Sequence, residues 1–227
     1  MLLAVGVVVG VVVAAVLAVA GFLLIGVLLG AFAGGLVAYR IWSGVERRVL
    51  RTLQARGVSA VEEPRLHNLT EGLCALAGLP KPGLYVLDDV ACNALAVGRD
   101  GRRAAVVVTR GLLDGLERIE LEGVLAHELA HVKALDGRIG GVAAALAPLG
   151  PWAVSAAVGE PREEAADTAG VAITRYPPGL LHALEKLAVA PTGLRTGAKS
   201  TAHLWLVPDP SSGPALAHRI DALRELS

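Results

Sequence analysis

His127-Glu128-Leu129-Ala130-His131 is the stretch on which the reading of this chain turns. Two histidines four apart on a helix project from one face, about one turn from each other. Their imidazoles can grip a single metal ion, and Glu128 between them is placed to act on a water beside that ion. The flanks agree with a helix starting near Arg118. Leu121, Val124, Leu125, Leu129, Val132 and Leu135 recur at helical spacing, with Glu120 and Glu122 early and Lys133 late, as the helix dipole favours. The bland alternative is a pair of histidines on a solvated helix face.

A zinc site that does hydrolysis takes three protein ligands and keeps a fourth position for water. Downstream of His131 the donors are Asp136, Glu160, Glu163, Glu164, Asp167, His182 and His203. Glu163 and Asp167 stand four apart on a predicted helix, hence on one face, with small alanines beside them to allow a close approach to the motif helix. Glu163 is expected as third ligand, Asp167 as acceptor for the other N–H of a ligand histidine. The competing view is an acidic helix start favoured by the dipole. Glu164, about 100° round the helix, is the alternative ligand.

Outward from the motif, the periodicity predicts helices over 41–54, 65–77, 162–173, 180–188 and 215–226. On the second of these Leu66, Leu69, Leu73 and Leu76 share a face, and Pro177-Pro178 is read as the break between the third and fourth. Strands are expected over 84–87, 91–97 and 104–109, with a turn at Gly98 to Gly101 and a short strand at 204–207. A small antiparallel sheet in front of a metal-binding helix makes the expected fold class α+β.

Composition adds a membrane. The chain has 227 residues, 54% of them apolar, and Met1 to Tyr39 carries no charged side chain at all. Thirty-nine such residues exceed the ~20 that cross a bilayer once and just reach two short spans. A transmembrane region over 1–40 is expected, as a helical hairpin turning near Ala20-Gly21 or as one long tilted helix. Residues 41–227 would form the zinc-binding domain. Arg40, Arg47, Arg48 and Arg51 follow the apolar run and put what comes after on the cytoplasmic side of the cell membrane. Ile139 to Gly159 is a second uncharged run, broken by Pro148, Gly150 and Pro151. It reads as membrane-associated without a full crossing. Zero net charge gives no reason to expect nucleic acid as a partner. Cys74 and Cys92 read as free thiols in a reducing compartment.

These residues resemble a family. His127 to His131 with Val132, Lys133 and Asp136, then Glu163-x-x-Ala-Asp167, are similar to the HtpX-type membrane metalloproteases, which also include the CAAX prenyl proteases. Asn93-Ala94-Leu95-Ala96-Val97-Gly98 is similar to a strand that borders the cleft in such enzymes. Val108 to Leu113 resembles the segment leading into the motif helix, and Arg219-Ile220 a weaker downstream feature. The resemblance implies a zincin-like fold, one zinc ion per chain with a glutamate as third ligand, bacterial membrane anchorage, and cleavage of protein or peptide substrates on the cytoplasmic side. It also implies a longer hairpin between the histidines and the third ligand than the 31 residues between His131 and Glu163 here.

In such an enzyme Glu128 is the general base, and Asn93, Ala94, Leu95 and Ala96 are candidates to pair with an extended substrate. His203 and Arg219 are the candidate donors to the oxyanion. A reading from a different class is a membrane sensor or adaptor that keeps the fold and cleaves little.

Overall fold

The computed structural model describes residues 2–18, 23–98, 101–134, 160–194, 201, 204–207 and 213–227. It divides into two compact units, Met1–Val45 and Glu46–Ser227.

The first unit holds α1 (Leu2–Ala18) and α2 (Leu23–Ser43). The two pack antiparallel, glycine on glycine. A Cβ added to Gly34 would lie 2.1 Å from the Gly6 carbonyl oxygen, and one on Gly30 would lie 2.3 Å from that of Gly10. Each helix carries its pair four residues apart, on one face, so the two backbones touch where no side chain intervenes. The outer faces are lined by exposed Val8, Val12, Val16, Leu28 and Phe32. Among the described residues no helix is long and apolar enough to cross a membrane. The expected turn at Ala20-Gly21 and the apolar run 139–159 lie outside the described residues.

In the second unit, α3 (Val45–Leu53) leads into a sheet of four described strands: β1 (Arg56–Gly57), β2 (Gly83–Leu87), β3 (Ala94–Gly98) and β4 (Ala104–Thr109). Their order is β1-β2-β4-β3. The sheet is mixed, not antiparallel as the sequence suggested, because β2 and β4 run parallel while β3 pairs antiparallel with β4. β4, Ala-Ala-Val-Val-Val-Thr, takes the place between β2 and β3, and both β3 and β4 are apolar and buried at every position. β3 and β4 pair antiparallel with Gly98 opposite Ala104. The middle of the turn expected at Gly98 to Gly101 lies outside the described residues, and Gly101–Arg103 form a short 3-10 turn.

β3 begins at Ala94 rather than Ala91. Thr109 N–H donates to the Asn93 carbonyl at 3.0 Å. In this register 95:107 and 97:105 therefore exchange hydrogen bonds across the pair, and the backbone groups of Ala94 and Ala96 point away from β4. Leu206 N–H takes the outward Ala94 carbonyl at 2.8 Å. The segment 204–207 forms no regular strand, but it lies along the start of this edge.

Six further helices are described in this unit: α4 (Pro64–Ala77), α5 (Arg110–Gly115), α6 (Arg118–Ala134), α7 (Glu160–Thr174), α8 (Pro177–Val189) and α9 (Gly213–Glu225). One sheet face, through Ala94, Ala96, Val106 and Val108, shares a core with Leu66, Leu69 and Leu73 of α4, Leu121, Leu125 and Leu129 of α6, and Leu180 and Leu184 of α8. Each such leucine contributes on the order of 1.5–3 kcal/mol. Leu76, placed on the inner face by its spacing, is 72% exposed, and Ala77 is buried instead. Pro177-Pro178 starts α8 rather than ending α7, which stops at Thr174 before Arg175 with a φ of 54°.

α6 is buried from Leu121 to Val132 at every position but Glu122. Its start is held by Glu120, whose carboxylate accepts the Glu117 N–H and pairs with Lys186 of α8, both at 2.7 Å. A helix buried all round cannot leave its polar side chains to solvent. His127, Glu128 and His131 must find partners inside.

Candidate metal centre

α7 supplies those partners by crossing α6 at His127. Gly170 makes the crossing possible: a Cβ there would lie 2.9 Å from the His127 amide nitrogen and 3.0 Å from its Cα. Ala166 is buried in the same contact region, while Ala165 faces outward. Gly170 sits seven residues after Glu163 and three after Asp167, so one helical face carries both carboxylates and the gap that brings them in. Sequence reasoning credited the alanines and missed this glycine, although its i+7 spacing from Glu163 was legible.

Three donors converge. His127 Nε2 lies 3.1 Å from His131 Nε2 and 3.4 Å from Glu163 Oε2, and His131 Nε2 lies 3.5 Å from Glu163 Oε1. Zinc–ligand bonds of ~2.0–2.1 Å in a tetrahedron put neighbouring ligand atoms about 3.3–3.4 Å apart. The separations are of that size, with the two histidines facing different oxygens of Glu163, and one ligand atom from each residue lies within 4.8 Å of the others. The donor set of two imidazoles and a carboxylate suits the ion. His127 Nδ1 lies 2.7 Å from Asp167 Oδ1, so Nδ1 directs its proton at that carboxylate and Nε2 is the nitrogen that faces the other two donors. Glu163 Oε2 and Glu128 Oε2 are buried and make no hydrogen bond among the described residues. An unpartnered buried carboxylate oxygen is costly, and a cation beside Glu163 would offset that cost.

The electrostatics have the same sense. Burial opposes a charged His127, but the hydrogen bond to Asp167, its charge, and Glu163 outweigh burial and lift the imidazole to about 9. Burial likewise opposes ionised Glu163, and the two histidines hold it far below the usual carboxylate range. Asp167 is depressed despite burial by Arg219 and His127. Glu128 goes the other way, because burial raises it more than the neighbouring histidines lower it. A proton acceptor of raised basicity thus stands beside a cluster built to hold positive charge.

The other expected residues fall as follows. Glu164 faces outward and pairs with His218 at 3.0 Å, away from the histidines. Arg219 of α9 binds Asp167 with two nitrogens. His203 lies outside the described residues. Asn93 is fully buried, its amide spent on the chain: Oδ1 accepts from Val207 N–H at 3.1 Å, and Nδ2 donates to the carbonyls of Val207 at 2.8 Å and Thr192 at 3.3 Å. Ala94, Leu95 and Ala96 lie in β3, the outer strand of the described sheet. Cys74 and Cys92 are both free thiols.

The description Peptidase family M48 matches residues 60–159, a stretch that holds both histidines and Glu128 and ends before Glu163. The Protease HtpX homolog of Tropheryma whipplei (strain Twist) is 36% identical over an alignment covering 76% of each chain. That of Dictyoglomus thermophilum is 33% identical, covering 80% of this chain and 73% of the relative. That of Pyrococcus furiosus is 32% identical, covering 89% and 90%. No solved structure matches. With two histidines, a glutamate between them and a third ligand-type carboxylate gathered at one point, and with relatives of this similarity along most of its length, the chain belongs to peptidase family M48 and is a metalloendopeptidase of the HtpX type.

Proposed function

We propose that this chain is a membrane-anchored zinc endopeptidase that cleaves unfolded or membrane proteins on the cytoplasmic side, with one zinc ion held by His127, His131 and Glu163. The observation that carries the reading is the convergence of one donor atom from each of the three beside Glu128, whose buried Oε2 makes no hydrogen bond among the described residues. A zinc ion held there supplies a Lewis acid that polarises a scissile carbonyl and acidifies water. Glu128 takes the proton from the attacking water and passes it to the leaving amine. Asp167 keeps the proton of His127 on Nδ1.

Substrate binds extended along β3. Asn93 and Ala94 are already engaged by residues 206–207, so the backbone N–H and C=O of Ala96 are the groups left to pair with it. Main-chain pairing reads little sequence, which suits cleavage of many unfolded segments.

The anchor is the pair α1 and α2. Neither helix as described is long and apolar enough to cross a bilayer by itself, and the anchor reading rests on the whole uncharged stretch from Met1 to Tyr39. Their exposed valines and leucines form an apolar surface far larger than a soluble protein tolerates. The arginines from Arg40 to Arg51 set the cytoplasmic side. A sensor that had given up cleavage would have no use for Glu128, a carboxylate buried at a cost with one oxygen unpartnered.

Glu128→Gln tests the proposal. Zinc content should stay at one per chain while hydrolysis of an unfolded polypeptide falls by a factor of 10²–10⁴ or more. Turnover within about tenfold of the parent would remove Glu128 from the chemistry. Retention in membranes through a carbonate wash, with residues after Arg51 cut by protease from the cytoplasmic side, tests the anchor and its direction.

A further inference from the structure

Arg219 is buried on α9, and each of its three guanidinium nitrogens meets a protein acceptor. Nε and Nη2 donate to Asp167 Oδ2 and Oδ1 at 2.7 and 2.8 Å, a two-pronged grip on one carboxylate. Nη1 donates to the Leu206 carbonyl at 3.0 Å and lies 3.4 Å from Glu163 Oε2. Asp167 Oδ1 is the same atom that faces His127 Nδ1. The Leu206 N–H is the group that takes the Ala94 carbonyl of β3. One side chain therefore touches the carboxylate behind the first histidine, the third donor, and the segment lying along the proposed substrate strand.

We infer that Arg219 is a positioning residue that acts through Asp167: it fixes the carboxylate that orients His127, and with it the geometry of the metal cluster. This rests on the metal-site reading above. A carboxylate held only by an imidazole can rotate about its own axis. A planar guanidinium bound through two parallel N–H donors removes that freedom, and a lysine point charge does not. Glu163 and Asp167 also carry like charge four residues apart on α7, and the guanidinium between them offsets their repulsion. The grip leaves Arg219 poorly placed to serve a substrate oxygen, the role its sequence position had suggested. Leu206 extends the effect: losing its carbonyl partner frees the segment that covers the start of β3.

The test is a double-mutant cycle on zinc affinity, measured by chelator competition on the full chain with Glu128→Gln in the background. No peptide hydrolysis is needed, so a failure of the proposed protease function leaves the experiment readable. Arg219→Met and Asp167→Asn should each weaken zinc binding by roughly 10–100-fold. Together they should fall within about threefold of the weaker single variant, because both break the same link. Arg219→Lys should be intermediate, since it keeps the charge and loses the fork.

Losses that multiply in the double variant would overturn the inference. So would an Arg219→Met chain that holds zinc within about threefold of its parent while, with Glu128 restored, its turnover drops, since that is the signature of direct action on substrate. Arg219→Met leaves Asp167 buried and alone, which can prevent folding. In that case the double variant, which removes both charges, is read against Asp167→Asn and gives the decisive leg of the cycle.

Discussion

Two helix pairs in this molecule approach closely for opposite reasons. α1 meets α2 glycine on glycine, at Gly6 with Gly34 and Gly10 with Gly30, along faces without a charged side chain. α6 meets α7 at Gly170, and the same approach delivers two carboxylates to two histidines. In the first pair closeness brings backbone against backbone and delivers no charged group, which suits the membrane anchor proposed above, where burial from water gives no drive and such contact holds apolar helices together. In the second it sets the reach of side chains whose donor atoms must agree to a few tenths of an ångström. A glycine fixes how near two helices come. The residues one turn away decide what the nearness does.

The strongest way to break the contrast is to remove a donor from the second pair. Glu163→Ala should lower bound zinc well below one per chain, whereas Glu164→Ala, whose carboxylate faces His218, should leave it unchanged. Metal analysis with the reverse result would rotate α7 by one residue and defeat the assignment.

A smaller effect comes from refilling the gaps. Gly170→Val drives a side chain into the His127 backbone and should destabilise the second unit by about 1–3 kcal/mol, with weakened zinc binding. Gly30→Val drives one into Gly10 and should loosen the first unit while zinc per chain holds at the parent value. Thermal melting beside metal content separates the two, and zinc lost from Gly30→Val would defeat this expectation.

The smallest change concerns the strand next to the site. Proline at 95 would remove an N–H directed at β4 and injure the sheet whatever the substrate does. Ala96→Pro removes an N–H directed outward. It should raise KM for an unfolded polypeptide several-fold with a melting point within a few degrees of the parent. An unchanged KM would close β3 as a docking edge.

Much of the site was legible in sequence because it is local. Four-residue spacing puts His127 and His131 on one face of any helix, and does the same for Glu163 and Asp167, so each half of the cluster followed from helical geometry alone. The helix over 118–134 followed from apolar periodicity, and the uncharged 39 residues at the start from composition. What spacing could not give is anything that depends on which segments meet. The place of β4 between β2 and β3 could not be read from pattern, since β3 and β4 are both apolar and buried at every position and only the pairing of distant segments tells them apart. That Glu163 rather than Glu164 gathers with the histidines depends on how α7 meets α6, with Gly170 against His127 and Glu164 turned to His218. Asn93 reads as part of a strand open to main-chain pairing, and only the fold shows that its side-chain amide is bonded to Val207, 114 residues away. Arg219 read as a donor to substrate, and the fold turned it onto Asp167, 52 residues back. The sequence by itself determined which residues share a helix face and therefore what chemistry was on offer. Only the tertiary structure decided which carboxylate, which strand edge and which partner for the arginine, because those are contacts between distant segments and local periodicity carries no information about them.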